Sequence, residues 1–142
     1  MEMDNTENKC VIVADEALPA GILANTSAIL GMTLGKCLPD CVGENVADGS
    51  GLMHKGITNI PIPMLKGSKL FIKNLRETLF TLEFVGLIVV DFSNVAQGCA
   101  SYCNYTERAK TLKEADFNYL GIAIYGSKKK VNKLTGSLPL LR

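Results

Sequence analysis

The chain has 142 residues, of which 47% are hydrophobic and 20% charged, with a formal net charge of +1. That length suits one domain with its own core, and the near-neutral balance excludes a surface that binds polyanions all over. The apolar share excludes extensive disorder and points to an interface between copies, hence a homodimer.

Residues 1–8 are acidic and polar and read as a flexible tail, not a signal peptide, ahead of a single domain over residues 9–142. No apolar run is long enough to span a bilayer. Five cysteines, an odd number, point to reduced thiols and a cytoplasmic location. Their C-x₃-C spacings, at Cys37/Cys41 and Cys99/Cys103, are not the usual zinc spacing. They read as small buried hydrophobes, and neither metal nor cofactor is expected.

"KCVIVA", from Lys9, is apolar and β-branched without alternation, the pattern of a strand buried on both faces. Pro19 then suits a helix start, and Ile22, Leu23, Thr26, Ile29, Leu30 and Thr33 recur at helical spacing. A Gly-, Pro- and Asp-rich stretch from Lys36 to Gly56 is long for a loop, so a short hairpin is expected within it. "ITNIPIPML", with Pro61 and Pro63, fits an edge strand. Ser68 is placed to cap a helix whose stripe is Ile72, Leu75, Leu79 and Leu82. A second buried strand covers 84–92, a third helix 93–112 and a third apolar strand 119–126. The chain closes with a turn or short helix and a last short strand over Leu138–Leu141. Alternating strands and helices predict a three-layer α/β/α domain around a small, mixed, mostly parallel sheet.

Ligands in open α/β sheets sit at the carboxyl ends of strands. Asp15 and Asp91 end the first two buried strands, as ligand groups or as helix caps. His54, the only histidine, lies between Gly51 and Gly56, either as a base or as a surface side chain. Asn25, in the first helix, faces the cleft beside Asp15 or faces water. "NKLTGS" offers Asn132, Lys133, Thr135 and Ser137 around Gly136, as an anion-holding loop or as a plain turn into an edge strand. No phosphate-loop or dinucleotide fingerprint is present. Asp15, His54 and Lys133 are thus the catalytic candidates, and Asn25, Asn132, Lys133, Thr135 and Ser137 the binding candidates.

Four blocks, "KCVIVADEALPAGILANTSAILGMTLGK", "GITNIPIP", "VVDF" and "VNKLTGSLPLLR", together resemble the bacterial family known as domain of unknown function two thousand. The resemblance runs from Lys9 to Arg142 and implies the fold of type-two peptidyl-tRNA hydrolases. Lys9, Leu18 and Gly21 match the outline of those hydrolases. Where the hydrolases carry a catalytic Lys, a Gln and a His, this chain has Ala24, Ala28 and Gly31. The resemblance therefore implies the fold without that chemistry. Three roles are held together: a binding or regulatory module for a small anionic ligand, a hydrolase or transferase on an ester, amide or nucleotide-linked substrate, and RNA binding through Lys128–Lys133 and Arg142.

Overall fold

The computed structural model describes residues 7–142. The tail expected over 1–8 falls mostly outside the described residues, and Asn8 is already in the first strand. In chain order the main elements are β1 (Asn8–Asp15), α1 (Ala20–Cys37), a hairpin of β2 (Val46–Ala47) and β3 (Met53–His54), β4 (Met64–Gly67), α2 (Lys69–Leu79), β5 (Ile88–Ser93), α3 (Asn94–Gln97), α4 (Tyr102–Thr111), β6 (Tyr119–Ser127) and α5 (Lys128–Thr135).

One sheet carries the fold, in the order β4-β1-β6-β5. β1 is central as its composition requires, since Val11, Val13 and Ala14 are wholly buried. It pairs parallel with β4 and antiparallel with β6, which in turn pairs antiparallel with β5. The sheet is mixed, with β1, β4 and β5 pointing one way, but only one of its three ladders is parallel. The odd strand is the third apolar one, β6. The last segment also runs antiparallel, through a single bridge between Leu140 and Leu65.

Alternation along β1 divides the core in two. Cys10 and Ile12 pack with Leu30 and Leu34 of α1, while Val11 and Val13 pack with Ile72, Leu75 and Leu79 of α2 and Val131 of α5. Helices thus cover both faces. The Ser68 hydroxyl accepts the Phe71 N–H at 3.1 Å and opens α2 as expected, but Leu82 lies beyond the helix and is exposed. Pro61 and Pro63 keep most of the expected edge strand out of the ladder, so β4 begins only at Met64. The expected third helix is broken. α3 stops at Gly98, and the Ser101 hydroxyl caps a fresh helix by accepting the Asn104 N–H.

α1 approaches β6 where β6 has no side chain. A Cβ on Gly121 would lie 2.9 Å from Thr26 Cγ2 and 3.1 Å from Leu30 Cδ1. Thr26 is fully buried there, and its hydroxyl donates to the Ile22 carbonyl at 2.8 Å. Gly121→Ala is expected to cost about 1–3 kcal/mol by overpacking, read as a lowered urea midpoint with an unchanged slope.

Candidate functional site

All four strands of the sheet deliver residues to one end of it. Asp15 closes β1, Lys69 opens α2 directly after β4, and Asn94 and Gln97 form the short helix after β5. β6 runs the other way, so its first residues, Tyr119 and Leu120, with Asn118 just before them, arrive at the same end. Its pairing with β5 is irregular there: Phe92 faces Gly121 while Ser93 faces Tyr119, which leaves Leu120 as an extra residue. Such a bulge re-aims side chains at a sheet rim. The result is a cleft of about 260 Å³ lined by Asp15, Lys69, Asn94, Gln97 and Asn118, with Leu18, Ile22, Tyr119 and Leu120 as its apolar wall.

Its polar groups are only partly used by the chain. One Asp15 oxygen accepts the Ala17 N–H at 2.9 Å in a local turn, and the other takes no partner from the described residues. Asn94 and Asn118 brace each other: the Asn94 N–H donates to the Asn118 carbonyl, and the Asn118 N–H to Asn94 Oδ1, both at 2.9 Å. The side-chain amides of Gln97 and Asn118 and the Lys69 ammonium have no partner among the described residues. Behind Asn94, the Ser93 hydroxyl is buried without one.

The other sequence candidates lie elsewhere. His54 sits in the hairpin, exposed, with Nε2 2.8 Å from Asp48 Oδ2. Asn25 is exposed on α1 and does not line the cleft. "NKLTGS" is not a loop: Asn132, Lys133 and Thr135 belong to the last turns of α5, where carbonyls, not N–H groups, face outward. Asn132 Oδ1 accepts from Lys9 Nζ at 2.7 Å, Lys133 pairs with Glu83, and the buried Thr135 hydroxyl donates to the Val131 carbonyl. Ser137 is exposed beyond the helix. Because Asn8 faces Ser127 across the ladder, Lys128–Lys130 lie at the opposite end of β1 from Asp15. Asp91 is neither a strand end nor a cap. It lies within β5 and accepts from Arg76 Nε at 2.7 Å, with the guanidinium stacked 3.6 Å from the Phe80 ring centre.

Asp15 alone among the sequence candidates lines the cleft. Asn94 was findable by the same rule, since it follows the end of "VVDFS". Asn118 and Lys69 needed the strand order, which no local pattern reveals.

A family profile described as a protein of unknown function (DUF2000) matches residues 8–142. The chain belongs to this family. This DUF2000 member also shares its fold with a solved structure of a protein of unknown function from Agrobacterium tumefaciens strain C58, at a TM-score of 0.84 and 16% identity, covering 94% of this chain and 97% of that one. No curated protein matches it in sequence. Among the described residues, no helix is long and apolar enough to cross a membrane.

The cysteines divide by burial. Cys10 and Cys41 are buried, whereas Cys37 and Cys103 are exposed, so the expectation of buried thiols holds only for part of the set. Burial, and then the neighbouring Cys41, push the Cys10 thiol from 9.0 up to about 11. In the native protein Cys10 therefore stays protonated where the unfolded chain ionises, so its contribution to stability is lost as pH rises from 9 to 11. Cys10→Ala is expected to flatten the alkaline fall in Tm over that window. Alkylation at pH 8 followed by mass spectrometry is expected to label Cys37 and Cys103 first and Cys10 only on unfolding.

Proposed function

We propose that this protein binds a small amino-acid-like metabolite in the cleft at the strand ends. The observation that carries the reading is the lining itself: one carboxylate, one ammonium and three carboxamides converge there, most of them without a partner in the chain. Lys69 pairs with the ligand's anionic group, helped by the adjacent N-terminus of the 11-residue α2. The free Asp15 oxygen accepts from its ammonium or amide N–H groups. Leu18, Ile22 and Leu120 take an aliphatic side chain.

The lining contains no serine, threonine, cysteine or histidine. That favours a binding or regulatory module over a hydrolase or transferase working through a hydroxyl or thiol nucleophile with a histidine base. The peptidyl-tRNA hydrolase-like fold and a cytoplasmic setting accompany this reading. A homodimer does too, supported by the exposed Phe80, Leu82 and Val85 in the segment between α2 and β5. Lys128 and Lys129 are exposed but lie away from the cleft, so RNA, if bound, meets a different surface.

A thermal-shift screen of free and N-acylated amino acids tests the proposal. A hit is expected to raise Tm by about 4 °C near saturation, and to be lost in Lys69→Ala and Asp15→Ala but kept in Lys133→Ala. A hit lost in Lys133→Ala and kept in Lys69→Ala would move the site to α5. No response to any member of the panel would remove the amino-acid reading.

A further inference from the structure

A second hollow lies at the other end of β1. Cys10 and Asp15 are five residues apart on the strand, so the two sites are separated by about 17 Å. This recess holds about 220 Å³ and lies between the last turns of α1, the turn at Cys41 and the segment after β3. Its walls are Cys10, Leu34, Cys41, Ile60 and Ile62, with Gly31 and Gly35 forming one side.

The glycines are the informative residues. Both stand inside α1, where glycine is a poor choice, and they are one turn apart. Glycine within a regular element is often explained by close approach of a neighbour, as Gly121 of strand β6 is by Thr26. Here the reverse holds: a Cβ at either position would meet no atom within 4 Å. Alanine would improve the helix and would fit. What the glycines preserve is empty space.

That space is apolar and offers water little. The Thr58 hydroxyl at its rim is already committed to the Ile60 carbonyl at 3.1 Å. The neighbouring backbone groups are paired as well: the Asn59 N–H donates to the Cys41 carbonyl, the Cys41 N–H to that of Leu38 and the Gly43 N–H to that of Ile57. The two thiols are weak partners, and a buried water needs two to four good ones. An enclosed apolar cavity of about 150 Å³ takes up benzene, so a recess of this size has room for a ring of that kind. Val42 and Ile57 also line the recess and are exposed, so its apolar wall extends to the surface.

We propose that this recess, held open by Gly31 and Gly35, binds a compact hydrocarbon group of the size of a benzene ring or a short acyl chain. It is independent of the strand-end cleft.

The probe is toluene, titrated against the wild-type protein with glycerol as a polar control, and Tm as the readout. Toluene is expected to raise Tm saturably by about 4 °C, and glycerol at the same concentration to do nothing comparable. Gly35→Leu, which fills the recess, is expected to retain its fold by circular dichroism and to lose the toluene response. The double variant Gly31→Ala/Gly35→Ala places two methyl groups in the space. It is expected to melt above the wild type and to need at least threefold more toluene for half its shift. If Gly35→Leu does not fold, the double variant decides. The proposal is overturned if toluene gives no saturable rise in the wild type, or if the response persists undiminished in the filled variants. It is equally overturned if toluene is inert and filling the recess instead lowers the sedimentation coefficient, since a second copy would then be the occupant.

Discussion

One strand running backwards organises this protein. β6 lies between β1 and β5 and opposes both. Its ladder with β1 pairs seven residues from Asn8 to Ala14 against Ser127 to Gly121, and fixes the register of the whole sheet. Because side chains alternate along each strand, that register also decides which residues face α1 and which face α2 and α5. A slip of one residue would move Gly121 from beneath Thr26 and put a branched side chain in its place.

The same reversal makes the cleft. In an all-parallel sheet, the beginning of a neighbouring strand would lie at the far end from Asp15. Here the start of β6 brings Asn118, Tyr119 and Leu120 to the carboxyl ends of the other three strands. The bulge at Leu120 then lets one rim hold polar and apolar groups side by side. Two hydrogen bonds lock Asn94 to the backbone of Asn118, so the Asn94 side chain and the backbone that carries Asn118 are fixed by the fold.

Sequence reasoning reached the fold class because its signals are local and strong. An unbroken apolar run marks β1, a serine cap and a stripe of Ile72, Leu75 and Leu79 mark α2, and Gly–Asp-rich chain marks the hairpin. It missed the break between α3 and α4, where a helix-period pattern ran across Gly98 and the Ser101 cap competed successfully. It located Asp15 at the carboxyl end of β1, and there the residue lines the cleft. It misjudged "NKLTGS", whose turn-like composition was overridden because Val131 and Thr135 bury against the sheet and draw the segment into α5. The remaining cleft residues come from strand order and direction. Those are long-range properties, set by packing of the whole chain and absent from any single stretch of it.

The most direct test is a backbone-amide NMR titration of the uniformly ¹⁵N-labelled protein with the strongest amino-acid-like hit. The account predicts shift changes concentrated at Asp15, Lys69, Asn94, Gln97 and Asn118, with Lys128 to Ser137 unmoved. Changes centred on Asn132 to Ser137, or on His54, with the strand-end residues silent, would contradict it.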